Sequence, residues 1–416
     1  MKRHRNHLTI QKNTFVGKRN MLILVCFCLI GVIALVVSHA SVPSVAIEPE
    51  DAVVSAPAQR QSTAPGASNN SYITFTKASG SWWKPARNTK WNWILEGGVT
   101  TSNASETARY DMYDVDMQSM MPAATQQTIN WPSSTLVPGG YATTITWPKG
   151  DNAGLIAQLH SQGKKVICYI DTGAFEDYRP DASAFPGKWG AGNNRSTNDN
   201  DSAASLFGAN VPYVGPPSLV NQDPIGGGSD GTIGSFSGEY WLDQRISSWK
   251  DVWGPIIWAR MDLAKKIGCD GVEGDQNNAY GGNDTTYGVT QNDSLRLYRE
   301  TYYQSHIRGL TAISKNGVEL TGGQVSDPAD ISYCTPGLCQ ADGILNEECS
   351  YYDECDLLQA AENKQLWIGQ AEYKDEGAKV SIANVCPSAN SQGRMAIIKP
   401  KVQPVLEASF ALCWEQ

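Results

Sequence analysis

The chain has 416 residues, 41% hydrophobic and 18% charged, a balance that excludes disorder along its whole length. Six of its 33 basic residues lie in residues 1–40, which hold no acidic ones, so the remainder carries 27 basic against 42 acidic residues, a net of −15. That excess argues against a nucleic-acid backbone as partner and leaves neutral or cationic partners open.

Residues 1–20 form a basic tail, and Met21–Val37 is an uncharged run of 17 apolar residues. As a helix the run spans about 26 Å, against about 30 Å for a bilayer core. The positive-inside rule keeps the tail cytoplasmic and exports the rest. One expectation is a signal anchor over 21–40, giving a type II single-pass membrane protein. The other is secretion after cleavage near Ala40, since Ser38-His39-Ala40 is a small-x-small site. The long basic region favours the anchor. Residues 41–81 are rich in Ser, Ala and Pro and read as a stalk.

Residues 82–416 read as one domain. Eight strands are expected, at 91–96, 112–117, 164–171, 240–245, 269–275, 310–316, 342–347 and 366–373. Helical spacing of apolar residues recurs over 152–162, 247–267 and 293–307, with Gly268 as a C-terminal stop. Eight such units fit a (β/α)8 barrel. A doubly wound sheet is the alternative, and no G-x-G-x-x-G follows the first strand to support its dinucleotide-binding form. The polar stretch 190–238 reads as a long insertion on the face where strands end.

Eight cysteines follow the apolar run, an even number that suits disulfides in an exported domain. Close spacing favours Cys334–Cys339 and Cys349–Cys355. Glycosylation sequons start at Asn69, Asn103, Asn194, Asn200, Asn283 and Asn292. No CxxC pair or histidine cluster points to a metal, and no metal or organic cofactor is expected.

Acidic residues recur at the C-terminal ends of the expected strands. They are Asp114 and Asp116, then Asp171 followed by Glu176 and Asp177, then Asp243 with Arg245, Glu273 and Asp275, Glu347, and Glu372. The sixth strand ends instead in Lys315-Asn316. Carboxylates inside a sheet are costly unless paired or used, so this recurrence suggests a shared acidic pocket. Such a pocket suits glycoside hydrolysis, where one carboxyl protonates the leaving oxygen and another attacks or activates water. Trp82, Trp83, Trp189 and Trp241 are candidates for stacking on sugars.

The blocks YDVDM (within 110–117), GKKVICYIDTGAFEDYRPDASAFPG (163–187), EYWLDQR (239–245), RMDLAKKIGCDGVEGDQNNAYG (260–281), HIRGLTAISKN (306–316) and NEECSYYDECD (346–356) resemble glycoside hydrolase family 114, the endo-α-1,4-polygalactosaminidases. The resemblance covers about 85–375. It implies a (β/α)8 barrel that cleaves a cationic, α-1,4-linked galactosamine polymer. It implies Glu273 as general acid/base and Asp177 as nucleophile or base, with a lean to retention. Asp114, Asp116, Asp171, Glu176, Tyr178, Asp243, Arg245, Asp275, Asn316, Glu347 and Glu372 are then expected to bind substrate. Two departures stand out: Gly274 where the family pattern has Pro, and Gln276 where it has Asn. Two other readings are a non-catalytic carbohydrate-binding barrel and a lumenal glycosyltransferase holding a metal through Asp114-x-Asp116.

Overall fold

The computed structural model describes residues 58–61, 72–75, 81–99, 101, 103–134, 137, 139–185, 220–224, 239–245, 249–280, 288–317, 320, 337–400, 409 and 411–416. The chain divides into two units, 1–77 and 78–416. The first holds an antiparallel pair, β1 (Ala58–Gln61) and β2 (Tyr72–Phe75), within the segment read as a stalk. The apolar run 21–37 lies outside the described residues. Among those described, no helix is long and apolar enough to cross a membrane.

The second unit is built on eight parallel strands. They are β3 (Trp91–Ile94), β4 (Met112–Asp116), β7 (Lys165–Asp171), β11 (Gly271–Asp275), β12 (Thr311–Lys315), β13 (Gly343–Glu347), β14 (Trp367–Tyr373) and β15 (Met395–Lys399). A short antiparallel strand, β16 (Ala411–Leu412), extends the sheet beyond β15. The hairpin β5 (Thr125–Trp131) and β6 (Tyr141–Trp147) sits in the β4–β7 connection. A three-stranded antiparallel sheet, ordered β8 (Ala174–Glu176), β10 (Glu239–Leu242), β9 (Val220–Pro224), follows the end of β7.

Two strand expectations are corrected. Residues 240–245 are not a barrel strand: β10 pairs antiparallel with β8, where the acid-rich EYWLD segment borders the barrel mouth. The eighth parallel strand is β15, built from the apolar Met395-Ala-Ile-Ile that follows the helix Ile382–Gln392. The insertion 190–238 contributes β9, and the rest of it lies outside the described residues.

Strand β7 shows why these segments form strands. Its Val-Ile-Cys-Tyr-Ile run is buried on both faces, as a parallel strand between helices and a barrel interior must be. The helix Gly254–Ile267 covers the outside and ends at Gly268, whose φ of 106° satisfies the last carbonyls, as the sequence predicts. The helix Gln291–Ile307 begins in a reciprocal cap between Thr290 and Asp293.

Side chains close the sheet on itself. Trp91 Nε1 donates to the Met395 carbonyl at 2.6 Å, and Lys399 Nζ to Asn92 Oδ1 at 3.4 Å, joining the first parallel strand to the last. The result is a curled α/β sheet consistent with a (β/α)8 barrel. Its floor is packed: Trp91 and Trp367 meet edge-on with centroids 5.5 Å apart. Gly369 lies between them, where a Cβ would come within 2.5 Å of the Trp367 ring. Because tryptophans plug the floor, chemistry is confined to the mouth where the strands end.

Disulfides pin the outside. Cys349–Cys355 forms as expected from spacing. Cys339 is also disulfide-bonded, and Cys334, its expected partner, lies outside the described residues. Cys168–Cys269 and Cys386–Cys413 join distant segments that spacing did not pair. Cys168–Cys269 closes a separation of 101 residues between β7 and the start of β11. Replacing both cysteines by Ala is expected to lower stability by about 2–4 kcal/mol, measured by denaturant unfolding; an unchanged midpoint would refute this.

Candidate active site

Alternation along the parallel strands decides which side chains enter the mouth. Matched register places Trp93 level with Asp114, Asp116 and Glu273 level with Tyr169, and Asp171 level with Asp275. In a parallel ladder, level residues point to the same face. These residues, with Lys315, Glu347 and Tyr373, form two tiers above the tryptophan floor.

Deepest are Trp93 and Asp114, with Glu273 one step above them. Trp93 Nε1 donates to Glu273 Oε2 at 3.2 Å. Glu273 is 0% exposed and Asp114 1%, and both oxygens of Asp114 and Oε1 of Glu273 lack a hydrogen-bond partner among the described residues. Burial, then the nearby Asp114 charge, holds Glu273 well above the usual carboxylate range. Burial likewise pushes Asp114 up to about 7.

The upper tier is organised by one buried cation. Lys315 Nζ reaches Asp275 Oδ2 at 3.2 Å and Glu347 Oε2 at 2.9 Å, and lies 5.2 Å from the Trp93 ring centroid. Burial alone would discharge this lysine; Asp275 and Glu347 outweigh it and hold the ammonium. Tyr169 Oη donates to Asp275 Oδ2 at 3.3 Å, and Tyr373 Oη donates to Glu347 Oε1. Burial opposes ionisation of Glu347, but Lys315 and Tyr373 prevail and lower its pKa. Asn316 turns the chain at φ 46° and accepts the Glu347 N–H at 2.9 Å.

Beside β7 lies an ion-pair network. Arg260 donates to both oxygens of Asp181 at 2.8 and 2.9 Å, to Glu176 at 2.9 Å and to the Asp171 carbonyl at 3.1 Å. Arg179 bridges Glu176 at 2.7 Å and Asp116 at 2.6 Å. Burial would raise Glu176, yet Arg179 and Arg260 together hold its pKa below the usual range. Tyr178 Oη joins Glu176 and Glu239 at 2.9 and 2.7 Å, while its ring is half exposed. Burial and the Glu176 charge push Glu239 up to about 7 and Asp171 well above its ordinary value. Asp177 is half-buried and takes part in no ion pair among the described residues, and burial raises its pKa.

The expected site residues therefore divide. Asp116, Asp171, Glu176, Tyr178, Asp275, Asn316 and Glu347 gather at the mouth. Asp114 lies deeper, beneath Glu273. Asp243 is buried off the barrel and paired with its own neighbour Arg245 at 2.6 Å. Glu372 is on the outer face: it shares alternation with Ile368, which packs against Cys349, Leu358 and Ala361, and it accepts from the Ser350 N–H. Tyr373 takes the inward position that Glu372 was expected to fill. Trp241 is buried in the core, while Trp82 stacks on His306 at the start of the strands, away from the mouth. Trp83 lines a cavity of about 540 Å³ at that same end, with Lys165 and Asp270. Trp189 lies outside the described residues. Of the sequons, Asn103 and Asn292 are exposed; the others lie outside the described residues.

Trp93, Tyr169, Tyr373, Arg179, Arg260 and the bridging role of Lys315 were missed. Period-2 alternation back from Asp171 carried the signal for Tyr169. The two departures in the GVEGDQ segment also find places. A side chain at Gly274 would press on Thr172 and Thr301 at 2.9 Å, so the residue is small because the covering helix is close. Gln276 adopts φ 60°, a conformation that Asn tolerates better than Gln.

The model of the glycoside hydrolase family GH114 matches residues 142–413. Among solved structures, the Aspergillus fumigatus Ega3 complex with galactosamine is 21% identical, with a TM-score of 0.51, over 80% of this chain and 98% of that one. The glycoside hydrolase domain of PelA from Pseudomonas aeruginosa is 12% identical, with a TM-score of 0.42, over 77% of this chain and 97% of that one. No curated protein matches. With the family model spanning well over half of the sequence, the chain belongs to glycoside hydrolase family GH114.

Proposed function

We propose that the protein is an endo-α-1,4-polygalactosaminidase, hydrolysing galactosamine-containing polysaccharide with Glu273 as general acid/base and Asp177 as nucleophile or base. The observation that carries the reading is the sorting of carboxyls at one barrel mouth in a member of this family. Burial raises the Glu273 pKa, the direction a general acid needs, whereas cations lower those of Glu176 and Glu347. Of the acidic residues after β7, Glu176 and Asp181 are committed to Arg179 and Arg260, which leaves Asp177 for chemistry. An acidic mouth also suits amines that are cationic near neutral pH, and galactosamine is the ligand of the Ega3 complex.

The glycosyltransferase reading loses its motif, because Asp114 is buried against Glu273 and Asp116 is paired with Arg179. The test is incubation of the purified protein with de-N-acetylated and fully acetylated galactosamine polymers, reading released oligosaccharides. Release from the de-N-acetylated polymer supports the proposal. Binding without release would replace it with the non-catalytic reading. Asp177→Asn is expected to lower kcat at least about 10²-fold with thermal stability nearly unchanged; an active variant would remove Asp177 from the mechanism.

A further inference from the structure

We propose that Asp114 is a positioning residue that keeps the catalytic proton on Glu273, the two carboxyls acting as one proton-sharing pair. The inference rests on the reading of Glu273 as general acid.

Both side chains point inward, from β4 and β11, and neither has meaningful exposure. Both oxygens of Asp114 and Oε1 of Glu273 have no donor from another residue among those described. Among the described residues, the one donor to the pair is Trp93 Nε1, on Glu273 Oε2. Buried carboxylate oxygens without a donor are costly, and two carboxylates buried in one barrel interior cannot both be ionised cheaply. A proton between the carboxyls resolves both costs. The nearest cation does not replace it, since the Lys315 hydrogen bonds go to Asp275 and Glu347 in the tier above.

The groups facing Glu273 are Asp114 from β4, Trp93 from β3, Tyr169 from β7, Asp275 from its own strand and Lys315 from β12. Burial, then Asp114 and more weakly Asp275, raise the Glu273 pKa, while Lys315 works against them. Of the two carboxyls, the Asp114 charge acts on Glu273 the more strongly. When the glycosidic C–O bond breaks, its electron pair stays on the leaving oxygen, which takes the Glu273 proton. With Asp177 as nucleophile, its carboxylate bonds to the anomeric carbon and the water that later displaces it returns a proton to Glu273; with Asp177 as base, water attacks directly, Asp177 takes its proton and Glu273 is reprotonated from solvent.

The test is the pH profile of kcat/KM on de-N-acetylated galactosamine polymer, for the wild-type protein and Asp114→Asn. An amide at 114 removes the negative charge and donates to the Glu273 carboxylate, so Glu273 gives up its proton more easily. The alkaline limb is expected to move at least one pH unit lower, with activity on the acid side kept within about tenfold. A uniformly lower profile with an unmoved limb would overturn the proposal and leave Asp114 a structural part. Carboxyl-¹³C NMR of the wild-type protein, assigned against Glu273→Gln, reads the same proton without turnover and does not depend on the Asn variant folding. An Asp114 signal that titrates near neutrality, and returns toward the ordinary aspartate range in Glu273→Gln, supports the pair; an ordinary titration in both refutes it. If the wild-type protein releases no oligosaccharide at any pH, the glycosidase reading fails while the NMR result still decides the pairing.

Discussion

Glu273→Gln is expected to lower kcat on galactosamine polymer by about 10²–10⁴-fold, the usual contribution of a positioned acid. Gln has the shape of Glu and still offers an oxygen to Trp93 Nε1, so the fold is expected to persist. It cannot release a proton to the leaving oxygen. The variant also carries a stability signature. The Glu273 pKa is raised in the folded state, so the wild-type protein loses stability as pH rises from the unfolded value, about 4.3, toward the folded one. Gln at 273 removes that loss. The variant is therefore expected to melt no lower than the wild-type protein above pH 7 while being inactive. Near-wild-type turnover would remove Glu273 from the mechanism. A melt far below wild type would show that its main role is structural.

The largest stability effect is expected at Arg260. Its guanidinium is 1% exposed, and Glu176 and Asp181 beside it are 0% exposed. Arg260→Met strips Asp181 of both its guanidinium bonds, leaving a bond from Gln127 at 3.3 Å, and Glu176 of one, so buried charge is left without its cation. That imbalance costs about 3–5 kcal/mol, read as a drop in unfolding free energy in denaturant. Lys is not an adequate substitute, because it cannot form the two parallel bonds to Asp181. The acid limb gives the sign. The Glu176 pKa is lowered on folding, so its stabilisation is present above the unfolded value, about 4.3, and is lost as pH falls through the folded one. Without Arg260 this acid dependence is expected to flatten in part, since Arg179 remains. Replacing Arg260, Glu176 and Asp181 together by apolar residues of similar volume should recover much of the loss. If the single substitution leaves the unfolding midpoint unchanged, the network does not carry the load assigned to it.

The strand order was legible wherever an apolar run lay between helical patterns, as at Lys165–Asp171 and Gly271–Asp275. It failed at residues 240–245, because composition does not reveal whether a β-prone segment pairs parallel with β7 or antiparallel with β8. The acidic character of the mouth was legible too, but individual roles were not. Glu372 and Tyr373 are neighbours in sequence, and charge drew attention to the first. The pleat sends the second inward and the first under the disulfide-closed loop at Cys349–Cys355.

The sequence by itself determined the membership and the charge of this protein: the family blocks, the acidic strand ends, the even cysteine count and the stop at Gly268. Each is a local or compositional property, readable without knowing what lies opposite. The tertiary structure alone decided what each charge does. The Glu176 pKa is lowered because Arg179 and, from a helix 84 residues away, Arg260 reach it, and the Glu273 pKa is raised because burial and the Asp114 charge from another strand both oppose its ionisation. A pKa depends on burial and on charges a few ångströms distant, and folding sets both.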